Sequence, residues 1–301
     1  MDDKSGSLSV AQEKAVKMLL DSPYHIGYLE NEGSKATIVR TSSITVDEFR
    51  EFSRVRDVID EEVLYYNDLF LMVATAHDNL TKAYDARVEA VNSSSNIVSA
   101  RDDLVELNTH FVSFIANFGM YLSCVPKKIT SKRDTILEVH RQATRDEYDT
   151  YFSYRLACAL RNYSLHHSPP ITGIKGSKSI YAAPEYEIYI KQSELLKDSQ
   201  ISKKLASDFV GSDSNYPVLE TIDVAAACLS RVHWKTIKAL MSEISEEIGL
   251  IKSISEPVTT QGRQPFVVEF RESKEGRSSI DARLHLIPAH ILGIYDNASR
   301  Y

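Results

Sequence analysis

The side chains best suited to catalysis stand close together, between an aromatic segment and a double proline. They are Arg161, Asn162 and His166, within the stretch Tyr148–Pro170, YDTYFSYRLACALRNYSLHHSPP. A histidine titrates near neutral pH and can accept or donate a proton. An arginine binds a phosphate through two hydrogen bonds and stabilises the charge that builds on it. With an asparagine to orient either group, this set suits metal-free phosphodiester chemistry.

A helix is needed to bring these groups together. The stretch from Tyr148 to the double proline is predicted to be one amphipathic helix that the prolines end. Asn162 and His166 are four residues apart, so they point to the same side. Arg155 and Ala159 extend that side towards the N-terminus. The apolar residues of the neighbouring side, which we expect to hold the helix in a core, are Phe152, Leu156, Leu160 and Tyr163.

The sequence Arg161-Asn162-Tyr163-Ser164-Leu165-His166 resembles the R-x4–6-H motif of the HEPN superfamily, in which a polar residue, often Asn, follows the Arg. The preceding leucine and the downstream double proline are similar to HEPN sequences of the LRN…H…P type. The resemblance implies a helical bundle, often with long antiparallel helices. It also implies a dimer in which two motifs face each other across a composite cleft. Many members are metal-independent endoribonucleases of toxin–antitoxin, phage-defence or RNA-processing systems.

The resemblance assigns a role to each residue of the motif. Arg161 becomes the phosphate-binding cation, His166 the proton-transfer residue and Asn162 the orienting polar group. The implied reaction is attack by an RNA 2′-OH on its own phosphate, which leaves a 2′,3′-cyclic phosphate and needs neither a metal nor another cofactor. The implied partners are RNA, a second copy of the chain, and an antitoxin or defence-system protein. The alternative is an inactive HEPN-like dimer that serves as a binding or regulatory module.

The bare motif also occurs elsewhere in the chain. The stretch Arg133–His140 matches it, with an aspartate after the arginine, but lacks the aromatic helix. The stretch Arg283–His290 contains a proline and lies in strand-like sequence, so we discard it. His167 gives a longer spacing from the motif arginine, and we favour His166 because it shares a side with the asparagine. A further alternative is that these residues only cap the end of a helix, where cations suit the dipole.

A basic stretch directly precedes the motif helix and offers candidate RNA contacts. Its members are Lys127, Lys128, Lys132, Arg133, Arg141 and Arg145. The same residues fit an ordinary solvated helical face equally well. The formal net charge of −7 argues against a protein coated in positive charge, but a local cleft can still be basic.

Two long amphipathic helices precede the motif. Thr45 and Glu48 form a capping-box pattern, and the apolar spacing over Phe49–Val91 predicts one long helix. A second apolar stripe follows over Ile97–Val125, and Pro126 is predicted to end it. Only the polar residues Asn92–Asn96 separate the two predicted helices. A loop of this length between two long helices predicts an antiparallel hairpin.

The rest of the chain is predicted from local patterns. The expected strands, in two hairpins and one single strand, are Tyr24–Leu29, Ala36–Arg40, Tyr186–Ile190, Phe266–Phe270 and Ala282–Ile287. The expected helices are Ala11–Leu20, Leu195–Phe209 and a last one that starts near Pro217, and Ile171–Ser179 is expected to be a loop. We expect a mainly α fold, a HEPN-like bundle of long antiparallel helices with a small C-terminal β-hairpin. The expected domains are an N-terminal extension (1–44), the bundle (45–255) and a hairpin decoration packed on it (256–301).

Several other classes of site are not indicated. The chain has no Gly-rich phosphate loop and no HExxH. Cys124, Cys158 and Cys228 are widely spaced, as expected of buried thiols in a reducing compartment. The acidic pairs Glu61-Glu62 and Asp102-Asp103 are expected on solvated helix faces. We expect a cytoplasmic protein without a membrane partner, because the chain begins with polar residues and its longest uncharged run contains several polar side chains.

Overall fold

Helices dominate the computed structural model, which describes residues 10–32, 35–93, 100–130, 133–166, 168–177, 185–197, 201–209, 214–260, 262–273, 280–288 and 290–298. The helices are α1 Val10–Asp21, α2 Val46–Val58, a π-helical turn Ile59–Leu64, α3 Tyr65–Ser93, α4 Ala100–Thr130, α5 Asp134–Thr150, α6 Phe152–His166, α7 Gln192–Leu195, α8 Lys203–Asp208, α9 Val218–Glu243, α10 Ser245–Thr259 and α11 His290–Ala298. The strands are β1 Tyr24–Glu32, β2 Lys35–Ile44, β3 Gly173–Ser177, β4 Glu185–Lys191, β5 Asn215–Pro217, β6 Phe266–Glu272 and β7 Ile280–Leu286.

The chain forms two compact units. The terminal unit combines Met1–Leu64 with Met241–Arg300, and the central unit is Tyr65–Leu240. The two units meet at residues 64/65 and 240/241 of the chain.

The central unit is built on an antiparallel pair of long helices, α3 and α4. The antiparallel pairing is confirmed, but the single helix predicted over Phe49–Val91 is divided by the π-helical turn Ile59–Leu64 into α2 and α3. Near one end, the ammonium of Lys128 lies 5.6 Å from the ring centroid of Tyr65. Midway, the rings of His77 and Phe114 are 5.9 Å apart. Beyond them, Arg87 forms ion pairs with Asp103 and Glu106 at the start of α4. The predicted termination at Pro126 is wrong, since α4 continues to Thr130. A proline inside a helix destabilises it by about 3 kcal/mol. Val125 and Ile129 lie on either side of Pro126 and are buried, and their packing offsets this destabilisation.

The motif helix is shorter than predicted. Tyr148 belongs to α5, Tyr151 is extended with φ −110° and ψ 119°, and α6 begins at Phe152. Arg155 gives the physical reason for this break. It is buried, and its Nη1 donates to the carbonyls of Tyr148 (2.6 Å) and Asp149 (3.1 Å) at the end of α5. Those carbonyls lack partners within their own helix, so the arginine caps α5 instead of extending the side of the motif.

The segment after the double proline also differs from the prediction. Gly173–Ser177, expected as a loop, is strand β3 in a three-stranded antiparallel sheet of order β3-β4-β5. A Cβ at Gly173 would lie 2.8 Å from Cε2 of Tyr189 on the paired strand, so this glycine permits the close approach. The strand predicted at Tyr186–Ile190 is confirmed as β4. The single helix predicted over Leu195–Phe209 is replaced by the short helices α7 and α8.

The terminal unit contains one four-stranded antiparallel sheet of order β2-β1-β6-β7. Both predicted hairpins are confirmed, and the pairing of β1 with β6 joins them. The capping box is confirmed: Thr45 Oγ1 accepts from the backbone N–H of Glu48 (3.2 Å), whose carboxylate accepts from the N–H of Thr45 (2.7 Å). Helix α11 was not predicted. The last predicted helix is divided into α9 and α10 at Ile244.

Two acidic side chains expected to be solvated are buried instead. Glu62 and Asp103 are 4% and 3% exposed. Asp103 lies 3.2 Å from Nε of Arg87 and accepts a hydrogen bond from Tyr186 at 3.4 Å. A buried carboxylate of this kind needs such partners. In the part of the chain that the structure describes, no helix has both the length and the apolar character that a membrane span requires.

Candidate functional site

The motif lies at the end of α6, where buried and exposed side chains alternate. Leu156, Leu160 and Tyr163 are buried and anchor the helix, as predicted. Asn162 and His166 are exposed. The four-residue spacing places these two side chains on one side of the last turns of α6. An amide and an imidazole are thus available to a ligand on a helix that the core holds in place.

Arg161 lies between this exposed side and helix α4. A Cβ at Gly119 would lie 2.5 Å from Nε of Arg161 and nearer still to its Cδ, so the arginine stem passes directly over this glycine. The side chain is half-buried and lines a cavity of about 300 Å³. Among the described residues, no carboxylate forms an ion pair with it. A half-buried guanidinium without such a partner is suited to an anionic ligand.

The chain beyond α6 is fixed to α4 by Asn108. Its Nδ2 donates to the carbonyl of Ile171 (3.1 Å), and its Oδ1 accepts from the N–H of Ile171 (2.9 Å). The hydroxyls of Tyr163 and Ser168 share a further hydrogen bond of 2.9 Å. Sequence reasoning missed the role of Asn108. The available signal was an amide next to the apolar residues Leu107 and Phe111 of α4, where it needs polar partners.

A groove runs along α4 beside the motif. The cavity at Arg161 is lined on α4 by Val112, Ile115, Ala116, Met120 and Ser123. A second cavity, of about 490 Å³, shares Val112 and continues past Val105 and Pro169 to Arg101. We call this surface, from Arg101 to Ser123 together with Arg161, Ser164 and Pro169, the α4 groove. The α4 groove is about 27 Å long between the levels of Arg101 and Gly119, because these residues are eighteen positions apart and each helical residue adds about 1.5 Å.

The competing motif match in the central unit cannot supply an accessible proton-transfer group. His140 is 2% exposed, and its Nδ1 lies 3.1 Å from Oγ1 of Thr236. Burial lowers the pKa of His140 to about 4. Arg283 and His290, the match that we discarded, lie in the terminal unit and line one cavity. His167 lies outside the described residues, so His166 stays preferred on its spacing from Asn162.

The candidate RNA-binding residues are distributed over two helices. Lys127 is exposed one turn beyond Ser123, on the side of α4 that lines the groove. Lys128 stacks on Tyr65 instead. The others that the structure describes are Arg133 at the start of α5 and the exposed Arg141 and Arg145 on the same helix, the last of which pairs with Glu138 at 3.5 Å. Lys132 lies outside the described residues. Of this set, Lys127 is the residue whose position extends the groove.

Comparison with known proteins identifies no relative. The chain matches no protein-family model, no curated protein and no solved structure. Within the described ranges, no three His, Cys, Asp or Glu side chains come together in a way that could hold a metal ion. The functional argument therefore depends on the geometry of the side chains themselves.

Proposed function

We propose that the chain is a metal-independent endoribonuclease with a HEPN-like central unit, and that Arg161, Asn162 and His166 form its catalytic site. The observation that carries this proposal is the arrangement at the end of α6. Asn162 and His166 are exposed on one side of the last turns of α6. The adjacent Arg161 is half-buried over Gly119 and has no ion-pair partner among the described residues. Metal-free cleavage of a phosphodiester requires a proton-transfer group next to a phosphate-binding cation.

The proposed reaction assigns a role to each atom that moves. The RNA 2′-oxygen attacks the adjacent phosphorus and its proton passes to an imidazole, while the bond from phosphorus to the 5′-oxygen breaks. The departing 5′-oxygen takes a proton from a second group, which leaves a 2′,3′-cyclic phosphate and a 5′-hydroxyl. Arg161 binds the phosphate oxygens that carry the developing charge. His166 moves a proton and Asn162 orients it or the phosphate.

One copy of the site supplies one histidine, whereas this reaction exchanges protons at two oxygens. We therefore propose a homodimer in which the second copy supplies the other group. The surface beside the α4 groove suits contact with its own copy. Leu71 (50%) and Met72 (45%) are exposed there beside Thr75, Asn79 and Ser113, and Asp68 is the one charged residue among those that line this surface. A two-fold contact there would bury apolar side chains and bring few like charges together. A toxin or phage-defence role, with a partner protein that controls the activity, fits a nuclease of this class.

The test is RNA cleavage by the purified full chain in EDTA. Wild-type protein is expected to cleave tRNA, rRNA or mRNA and to leave 2′,3′-cyclic phosphate ends. Arg161→Ala and His166→Ala are each expected to reduce the rate by about 10²–10⁴-fold without loss of folding. Lys238→Ala, an exposed cation on α9, is the matched control and should cleave at the wild-type rate. Inert wild-type protein, or motif variants as active as the control, would refute the proposal.

A second candidate function follows from the apolar floor of the α4 groove. A HEPN-like dimer without catalysis would use this groove to bind a protein or RNA partner. In that case the wild type would not cleave, and binding would survive His166→Ala but weaken when Val105 is replaced by a charged residue. Parallel cleavage and binding assays on the same variants distinguish the two functions.

A further inference from the structure

A second cluster of charged side chains lies in the terminal unit, on one face of its sheet. β7 is the last strand in the order β2-β1-β6-β7. Arg283 lies opposite Glu269 in the β6–β7 register, and His285 lies two residues further along, so all three share a face. Helix α2 packs on this face, where the ring of Phe49 lies 5.0 Å from that of His285. Arg56, two turns further along α2, points to the same side.

His285 is held between a cation and a buried carboxylate. Its Nδ1 lies 3.2 Å from Nη1 of Arg56, and its Nε2 lies 3.0 Å from Oε2 of Glu269. Because a guanidinium only donates, Nδ1 accepts and the ring proton on Nε2 is donated to Glu269. The carboxylate of Glu269 is 6% exposed and also accepts from Arg271 at 2.6 Å. These contacts hold the guanidinium of Arg56 in one orientation.

Arg56 and its neighbours line a cavity of about 620 Å³. The ionisable lining side chains are Arg56, Asp60, Arg283, His285 and His290. Asp60 is the one acidic member among them, and it lies 4.0 Å from Nε of Arg56, which also pairs with Asp57 at 3.0 Å. Arg283 and His290 are exposed, and Arg283 has no ion pair among the described residues. The cavity therefore contains an oriented guanidinium, a second guanidinium free to take an anion, and an imidazole.

The remainder of the lining is apolar except for Gln264, whose Nε2 donates to the carbonyl of Ile287 at 3.0 Å. Leu284, Leu286 and Pro288 belong to the end of β7 and the connection to α11, and Leu286 is 64% exposed. Because side chains alternate along a strand, Leu284 and Leu286 point to the opposite face of β7 from Arg283 and His285, and a ligand reaches both sets only across the free edge of this last strand. Such a ligand would combine an anionic group with an uncharged body. The volume lies within the range of about 300–1,000 Å³ that small-molecule sites occupy.

We propose that this cavity binds an organic phosphate of nucleotide size. Its phosphate contacts Arg56, Arg283 and His290, and its uncharged part packs against Leu284 and Leu286. Guanidinium groups match the planar pair of oxygens on a phosphate, and apolar walls strengthen such hydrogen bonds by excluding water. The site lies in the terminal unit and is separate from the proposed nuclease site, so neither proposal depends on the other.

The test is calorimetric titration of the full chain with three probes: AMP, adenosine and inorganic phosphate. AMP is expected to bind more tightly than either of the other two, because only AMP contacts both parts of the cavity. Arg283→Gln is expected to weaken AMP binding by about tenfold or more and to leave adenosine unaffected. Arg283 lies exposed on an edge strand, so this variant should fold as the wild type does. Thermal unfolding checks that it does.

Arg50→Gln is the matched control, since Arg50 is an exposed arginine of α2 that pairs only with Asp47 among the described residues. It should bind AMP with wild-type affinity, and so should His166→Ala. No binding of AMP at millimolar concentration would overturn the proposal. Equal affinity for AMP and adenosine, or an equal loss with Arg283→Gln and Arg50→Gln, would also overturn it.

Discussion

The buried histidines of the central unit predict a specific loss of stability in acid. His140 and His233 are 2% and 0% exposed, and burial lowers their pKa values to about 4 and about 3. An imidazole in the unfolded chain has a pKa of about 6.5. Below that pH the unfolded chain binds protons that the folded chain does not, so the free energy of unfolding falls. The fall continues to about pH 4 for His140 and about pH 3 for His233.

The magnitude follows from the difference between the folded and unfolded pKa values. At pH 5 each histidine is 1.5 pH units below the unfolded pKa of about 6.5 and still neutral in the fold. At about 1.4 kcal/mol per unit, each contributes about 2 kcal/mol of lost stability, or about 4 kcal/mol for the pair. More than about one pH unit above 6.5 the same histidines contribute almost no dependence on pH, because both states are then neutral.

His140→Gln tests this value, because glutamine retains polar atoms near Thr236 and does not titrate. Urea unfolding followed by circular dichroism at pH 7.5 and pH 5 gives the acid-dependent loss for each protein. We expect the loss in His140→Gln to be smaller than in the wild type by about 2 kcal/mol. Thr236→Val removes the hydrogen-bond partner of Nδ1 but leaves the imidazole, so this control should keep the full wild-type loss. If His140→Gln and the wild type lose the same stability, the reasoning is refuted.

Two further predictions concern the support of the motif. Gly119→Ala places a Cβ where the Arg161 side chain lies and should displace that side chain. The higher helix propensity of alanine, about 1 kcal/mol, should offset the cost of this displacement, so the free energy of unfolding should stay within about 1 kcal/mol of wild type. RNA cleavage should fall as it does in Arg161→Ala. A cleavage rate equal to wild type would show that the position of Arg161 does not matter. Asn108→Ala leaves the N–H and carbonyl of Ile171 without their partner and should lower the free energy of unfolding by about 2–4 kcal/mol. Urea unfolding that shows no loss would contradict the role of this amide.

Local signals were sufficient for much of the fold. The capping box at Thr45 predicted where α2 begins, and the apolar spacing after it predicted that the chain stays helical, because both depend on residues within one turn of each other. Neither signal predicted the π-helical turn Ile59–Leu64 that separates α2 from α3. Both hairpins were predicted from short alternating runs on either side of a turn. Their union in one sheet was not, because the pairing of β1 with β6 joins residues that are far apart in the chain.

The errors in the predicted helix ends arise from side-chain packing and from capping between neighbouring helices. Pro126 was predicted to end α4, but the burial of Val125 and Ile129 carries the helix past it. The break between α5 and α6 depends on the guanidinium of Arg155, which reaches back to carbonyls six and seven residues earlier. Helical periodicity does not report a side chain that caps a neighbouring helix. Packing and capping of this kind are decided by tertiary contacts.

For the candidate sites, the sequence by itself determined which groups share a helical side, and the tertiary structure decided which of them a ligand can reach. The spacing of Asn162 and His166 predicted their common side of α6, because helical pitch is a local property. Spacing alone did not separate this pair from Arg133–His140, and burial of His140 did. The match at Arg283–His290 was discarded as strand-like, yet the end of β7 and the start of α11 bring both residues to one cavity. Accessibility and the approach of distant residues arise only when the chain packs.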